Sequence, residues 1–180
     1  EYQINYNYSS LLFLDNSKID QQKINGKVLA FSPDYPLGEK ENANRSEKQN
    51  KIRSILAPLA GAKDEIAFLK ENYRGDFYLG MNANEAMLKQ KVKDYGILHF
   101  AMHGMVDDSL AAYSCLVLEE DGNPKEDNML HAFEIKSLDL NASLVVLSAC
   151  NTGIGRYQRG EGAMSMGRGF MYAGASSLLM

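Results

Sequence analysis

The sequence predicts an α/β domain built around a largely parallel β-sheet. Short apolar runs that indicate strands alternate along the chain with segments of helical periodicity. One run, Leu144–Ser148, is continuously apolar, which is typical of a strand buried on both faces. Turn-forming or glycine-rich segments follow several runs, as expected where strands end. In such sheets the functional crevice lies at the carboxyl ends of the strands.

The first half of the chain supplies the opening elements. Lys27–Phe31 is an apolar run closed by Ser-Pro-Asp, which predicts a strand and a turn. Gly38–Lys51 is polar with little periodicity, so we expect an exposed loop. Lys63–Tyr73 has apolar residues at helical spacing, and Asp76–Leu79 predicts a second strand. Asn82–Glu85 resembles the N-terminal cap of a further helix.

The second half continues the alternation. Two helices are predicted, a short one over Asn128–Lys136 and a longer one over Ala163–Tyr172, with Gly174 placed as a C-terminal cap. The remaining apolar runs are extended, and we predict strands at Gly96–Ala101, Ser114–Leu118, Leu144–Ser148 and Ser176–Leu179.

Composition limits the possible functions. The chain has 180 residues, a net charge of −4 and a pI near 5.4, a balance that argues against non-specific nucleic-acid binding. No apolar stretch approaches the ~20 residues of a membrane span. With only two cysteines, Cys115 and Cys150, and no secretory signal at the start, we expect a reduced, cytoplasmic setting. Because the first residue is not Met and the last strand stops at Met180, we expect one domain cut from a longer protein.

A cysteine and a histidine end two of the predicted strands. Cys150 follows Leu144–Ser148 and precedes a glycine-rich segment, and His103 with Gly104 follows Gly96–Ala101. A thiolate nucleophile needs a nearby acid or base and donors for an oxyanion. His103 can supply the first, and the backbone N–H groups of Gly104 and Cys150 can supply the second. The separation of His103 from Cys150 is close to the roughly 50 residues found in caspases.

The other thiol and imidazole side chains have plainer interpretations. A cysteine after a buried strand is often an inert packed thiol, so the pairing with His103 carries the hypothesis for Cys150. Cys115 has no histidine nearby in sequence and is interpreted as a packing thiol. His99 shares a strand face with His103 and is either a hydrogen-bonded core residue or a support for the site. His131 is interpreted as structural or exposed.

Acidic residues surround the proposed cleft. Asp107 and Asp108 follow the His-Gly pair, and Glu161 closes the glycine-rich segment after Cys150. Glu161 could instead cap the helix that follows it, and the aspartates could solvate a loop. A carboxylate at the base of a substrate pocket would favour Arg or Lys at P1, the substrate residue before the scissile bond. We therefore predict that these three residues bind substrate.

Neighbouring residues suggest other preferences at P1, and two further kinds of site are disfavoured. Met102 and Met105 would favour an apolar P1 residue, whereas Arg156 and Arg159 would favour an acidic one. No phosphate-binding glycine motif is present, and the three histidines and two cysteines show no metal-ligand spacing. We therefore expect no metal.

A family resemblance covers most of the chain from about Lys27. Leu98–Gly104 reads Leu-His-Phe-Ala-Met-His-Gly, and Leu144–Gly155 reads Leu-Val-Val-Leu-Ser-Ala-Cys-Asn-Thr-Gly-Ile-Gly. Together these blocks resemble the hallmarks of the CHAT domain, a caspase-like domain often attached to tetratricopeptide repeats; many members have Thr where Met102 stands. Weaker likeness is found at Gly160–Gly162, Phe170, Ala173–Ala175, Val28–Phe31 and Ala62–Ile66.

The resemblance implies a caspase-like three-layer α/β sandwich with a mainly parallel central sheet. Residues 1–180 would form one such domain, with 1–26 as its N-terminal extension and the C-terminal part of the fold absent. Family members continue beyond Ser176, so we expect little activity from the isolated segment.

The resemblance also implies a cysteine endopeptidase of clan CD that cleaves a protein substrate without an organic or metal cofactor. Cys150 would be the nucleophile, His103 the general acid that protonates the leaving amine, and Gly104 and Cys150 the oxyanion donors. Tetratricopeptide-repeat segments of the same parent chain would be partners, with no nucleic acid and no membrane segment. The alternative is a catalytically silent caspase-like scaffold or interaction module.

Overall fold

The structure, a computed structural model, describes residues 26–35, 43, 45–107, 109–148 and 161–180, with the side chains of 48 and 161–165 left outside this description. Its central sheet has five strands: β1 (Val28–Ser32), β2 (Gly75–Leu79), β3 (Ile97–Ala101), β7 (Leu144–Ser148) and β8 (Leu178–Leu179). They lie in the order β2-β1-β3-β7-β8, and all neighbouring pairs are parallel. The predicted α/β class with a mainly parallel sheet is confirmed.

Helices flank this sheet. They are α1 (Glu47–Ile55), α2 (Ala62–Asn72), α3 (Glu85–Lys91), α4 (Ala132–Ile135) and α5 (Glu161–Tyr172). One sheet face packs against α2 in a small apolar cluster that includes Val28, Ala30 and Ile66. The opposite face belongs to a much larger core, in which Phe100 stacks on Phe170 of α5 with ring centroids 5.6 Å apart. The strands therefore alternate their side chains between two unequal layers.

The loop predicted over Gly38–Lys51 is wrong from Glu47 onward, because α1 begins there. Positions 36–42 and 44 lie outside the described residues. Ser46 and Gln49 form a capping box: the Gln49 N–H donates to Ser46 Oγ over 3.2 Å, and the Ser46 N–H donates to Gln49 Oε1 over 2.7 Å. Ile52 and Arg53 are buried, while most of the helix surface is polar. The polar surface hid the periodicity, although the capping box was present in the sequence.

A second, antiparallel sheet follows β3. It contains β4 (Gly104–Met105), β5 (Cys115–Val117) and β6 (Met129–His131), in that order. The helix predicted over Asn128–Lys136 is therefore wrong in its first half, and only α4 is helical. Pairing with β5 is the physical reason, because it gives β6 backbone partners that a helix would remove; the Leu118 N–H, for example, donates to the Asn128 carbonyl over 2.9 Å.

Strand β7 differs from its prediction in one respect. Val145 and Leu147 are buried, but Leu144, Val146 and Ser148 are only half-buried, so the strand is not fully covered on both faces. The other predicted strands of the central sheet and the helices α2 and α5 are confirmed, with bounds that shift by one or two residues.

Gly174 ends α5 as predicted. Its φ of 115° lies in the region that favours glycine, and a Cβ there would stand 2.4 Å from the Leu140 carbonyl oxygen. The longest of the described helices is this one, and within the described part of the chain none is both long and apolar enough to pass through a bilayer.

Candidate active site

Two neighbouring parallel strands precede the two residues of the predicted dyad along the chain. Strands β3 and β7 pair in register, with Ala101 opposite Ser148 at their carboxyl ends. His103 follows β3 after a single intervening residue, and Cys150 follows β7 at the same sequence distance. Cys150 itself lies outside the described residues, so its place beside His103 remains a prediction.

The imidazole of His103 is held by a main-chain carbonyl. Its Nε2 lies 2.7 Å from the carbonyl oxygen of Ala57, in the segment between α1 and α2. A carbonyl oxygen only accepts, so we assign the proton of the neutral ring to Nε2, which leaves the lone pair on Nδ1. Nδ1 is buried and has no hydrogen-bond partner in the described part of the chain. The ring is thus oriented by one nitrogen and keeps the other for a ligand or reactant.

Tyr35 fixes the same histidine from the side and from the backbone. The two rings meet edge to face with centroids 4.5 Å apart. The tyrosine hydroxyl accepts from the His103 N–H over 3.1 Å and donates to the Val117 carbonyl over 2.6 Å. Burial raises the pKa of Tyr35 well above its usual range, so the hydroxyl keeps the proton that it donates. Sequence reasoning missed Tyr35, and only its position after the first predicted turn hinted at the sheet edge.

Arg53 of α1 and Arg45, just before this helix, make the charged contacts that hold the helix leading to Ala57. Buried Arg53 donates from Nη2 to the Leu118 carbonyl over 2.7 Å, and its Nε lies 3.3 Å from a carboxylate oxygen of Glu120. Arg45 binds the same carboxylate through both Nε and Nη2. These contacts hold α1 against the residues that follow β5. The chain that leaves α1 carries the Ala57 carbonyl, which accepts from His103 Nε2.

A cavity of about 490 Å³ opens beside Tyr35 at this edge. Its lining includes Pro58, the residue after Ala57, so it borders the segment that holds His103. Its charged residues are Asp34, Lys63 and Glu119. Lys63 Nζ lies 3.0 Å from Asp34 Oδ1, and the Asp34 N–H donates to Glu119 Oε2 over 3.0 Å.

Of the three acidic residues predicted to bind substrate, only Asp107 has a side chain that the structure describes. Asp107 lines a different cavity, of about 470 Å³, together with residues of the small antiparallel sheet. Its Oδ1 accepts from the N–H groups of Ser109 and Leu110, so this carboxylate bonds the backbone of its own loop. Asp108 and the side chain of Glu161 lie outside the described residues. Substrate binding by these three residues therefore stays a prediction.

His99 lies within β3, four residues before His103, and its ring faces a carboxylate without forming a hydrogen bond to it. Its Nε2 is 3.2 Å from Oε1 of Glu65 on α2, and the side chain is almost fully buried. Burial lowers the pKa of His99 even though the Glu65 charge opposes that shift. The second oxygen of Glu65 accepts from Ser148 Oγ over 2.8 Å, so one helix side chain contacts both β3 and β7.

Three carboxylates elsewhere lie close enough to hold a cation, and a lysine occupies the place between them. Glu85, Glu126 and Glu134 bring one oxygen each within 4.8 Å of the others. Lys89 Nζ contacts all three, at 2.7, 2.7 and 2.8 Å. Burial raises the pKa of Glu85 to about 7. The ammonium supplies the positive charge that these carboxylates need, so the cluster is a structural ion-pair network.

Comparison with known families supports the caspase-like interpretation of the fold. The family model described as "CHAT domain" matches residues 1–180. That family is related to the caspase-like peptidases of clan CD. A search of curated proteins found no match.

Proposed function

We propose that this chain, which belongs to the CHAT-domain family, is a cysteine endopeptidase domain that uses Cys150 and His103. The observation that carries the proposal is the unused Nδ1 of His103 at the edge of the sheet where β7 leads to Cys150. A general acid–base needs one nitrogen held and the other available.

The reaction follows from this arrangement of nitrogens. Nδ1 of His103 takes the thiol proton of Cys150, and the sulfur forms a bond with the scissile carbonyl carbon. The imidazolium then donates that proton to the leaving amine as the C–N bond breaks, which leaves a thioester for water to hydrolyse. The Ala57 carbonyl stabilises the imidazolium because Nε2–H donates to it in both protonation states.

The oxyanion that forms on the carbonyl carbon needs backbone donors nearby. We assign this role to the N–H groups of Gly104 and Cys150, as the family resemblance implies. In support, Gly104 begins β4 directly after His103, so its N–H belongs to the same turn of chain as the imidazole.

A cationic side chain at P1 suits the cavity beside Tyr35. Two carboxylates, Asp34 and Glu119, and one ammonium, Lys63, line it, so its formal charge favours a cation. Asp107, Asp108 and Glu161 remain candidates for the rest of the substrate. A protein substrate, tetratricopeptide-repeat segments as partners and a cytoplasmic setting complete the proposal.

A thiol-directed peptidyl probe and peptide substrates that differ only at P1 test the proposal on the intact protein. We expect labelling at Cys150 and turnover that prefers Arg or Lys, with both lost in Cys150→Ala. Cys115→Ala is the matched control, because it removes the buried thiol of β5 and should leave labelling and turnover unchanged.

Two outcomes would contradict it. A folded protein that is neither labelled nor active would favour the silent scaffold instead. A preference for Asp at P1 would leave the peptidase activity standing but reject the cationic P1 assignment.

A further inference from the structure

One glutamate of α2 joins the two strands from which the proposed dyad emerges. Glu65 Oε1 faces His99 Nε2 of β3 at 3.2 Å, and Glu65 Oε2 accepts from Ser148 Oγ of β7 over 2.8 Å. His99 lies opposite Val146, and Ala101 lies opposite Ser148, so the two contacts are on the same sheet face near its carboxyl edge. Ser148 is the last residue of β7.

The strand residues next to His99 and Ser148 in the sheet are apolar. The residues opposite His99 in the flanking strands are Ala30 and Val146, and Glu65 is the titratable group that acts on His99. Ala101, next to Ser148 across the sheet, belongs to the small apolar cluster under α2. The Ser148 hydroxyl and the His99 imidazole therefore both face the Glu65 carboxylate of α2 rather than a polar group of the sheet.

We propose that Glu65 is a positioning residue that, through Ser148, fixes the exit of β7 and hence the chain that leads to Cys150 relative to His103. The inference rests on the proposed function, in which Cys150 is the nucleophile. A strand end held only by its backbone frays, whereas a charge-assisted side-chain bond from a packed helix defines its place. Such placement matters because an error of about 1 Å in a reacting group costs roughly 100-fold in rate.

Variants of both partners in the intact protein test this role. We expect Glu65→Ala and Ser148→Ala to lower kcat by about 10- to 100-fold with KM within about twofold, because the reacting groups are displaced while the substrate surface is kept. Ser148→Thr keeps the hydroxyl and should recover most of the rate. The double variant Glu65→Ala/Ser148→Ala should be no slower than the slower single variant, because both remove the same bond.

Asp64→Asn is the matched control, since it makes a change of charge at an exposed neighbour on α2. Its turnover should equal that of the unmodified protein. A readout independent of turnover is the NMR titration of the His99 imidazole. Its pKa should fall further in Glu65→Gln, which removes the charge that opposes the burial effect, and should change little in Ser148→Ala.

The outcomes separate this inference from the proposed function. If the unmodified protein is active and Glu65→Ala and Ser148→Ala match Asp64→Asn, the positioning role is wrong and the peptidase stands. If the unmodified protein has no turnover, amide hydrogen exchange at Leu147 and Ser148 decides the matter. Faster exchange in Glu65→Ala then supports the positioning of β7, and unchanged exchange overturns it.

Discussion

His99 and His103 lie four residues apart on one segment, yet their two imidazoles have different surroundings. His99 is buried within β3, and its Nε2 faces the Glu65 carboxylate. His103 lies beyond the strand end, and its Nε2 bonds a neutral main-chain carbonyl while Nδ1 is left without a partner among the described residues. The comparison teaches that a buried ring nitrogen without a hydrogen bond does not by itself mark a site, since Nε2 of His99 has none either within the described part of the chain. What distinguishes His103 is the carbonyl that orients its ring and its position beyond the strand end.

The largest expected effect comes from replacing each of the two histidines in turn with glutamine. His103→Gln should lower kcat/KM by about 1000-fold, because general acid–base catalysis is lost. His99→Gln should lower it by less than about tenfold, because Glu65 keeps its bond to Ser148. Steady-state kinetics measures both, and circular dichroism checks that each variant is folded. Equal losses in the two variants would remove the functional distinction between them.

A smaller effect is expected from the hydroxyl that supports His103. Tyr35→Phe removes the acceptor of the His103 N–H and the donor to the Val117 carbonyl, which leaves two backbone groups unpaired. We expect a loss of about 1–3 kcal/mol in the free energy of unfolding. We also expect roughly tenfold lower kcat, since the imidazole loses part of its support.

Urea denaturation and kinetics of Tyr35→Phe measure the two effects. Tyr172→Phe, which removes an exposed hydroxyl at the end of α5, is the control and should behave like the unmodified protein. A Tyr35→Phe protein with full stability would show that the hydroxyl is dispensable.

The smallest expected effect is on the pH dependence of the free energy of unfolding. Its sign should differ between His99 and His131. Burial lowers the pKa of His99 from 6.5, so the unfolded chain binds a proton that the folded chain resists. Stability should therefore fall as the pH drops through 6.5 toward the folded pKa, and His99→Gln should flatten this slope. Urea titrations between pH 5 and 8 measure it.

His131 should show the opposite sign. Burial lowers its pKa, but the Asp127 carboxylate and the Tyr113 carbonyl more than offset this, and the net shift is upward. Its contribution to stability is present at low pH and is lost as the pH rises through the folded pKa. Identical slopes for His99→Gln and His131→Gln would contradict at least one of the two assignments.

Sequence could predict the elements that carry a strong local signal. The strands β1, β3 and β7 are predictable because each is a short apolar run, and the helices α2 and α5 because their apolar residues recur at helical spacing. Helix α1 was missed because its polar surface obscures that period, and β6 was mistaken for helix because its strand pairing is decided by distant β5. Long-range pairing overrides local preference there.

Sequence predicted the histidine of the candidate site but not what holds it. His103 stands out through its motif, and the register of β3 and β7 confirms that the two motif-bearing strands are neighbours. Tyr35 and Ala57 come from segments far from it along the chain, at separations of 68 and 46 residues. Such contacts depend on how layers pack, which no local pattern encodes. Glu65 and Ser148, 83 residues apart, belong to the same class.

The contact between the Ala57 carbonyl and His103 has a consequence for which substitutions the chain tolerates there. An oxygen of the main chain is present whatever side chain occupies position 57, so substitutions of the exposed Ala57 should leave the contact intact. The direction of that oxygen depends instead on the next residue, because Pro58 restricts the residue before it to extended conformations. Different side chains at position 57 should therefore still orient the imidazole of His103, whereas substitution of Pro58 should disturb that contact.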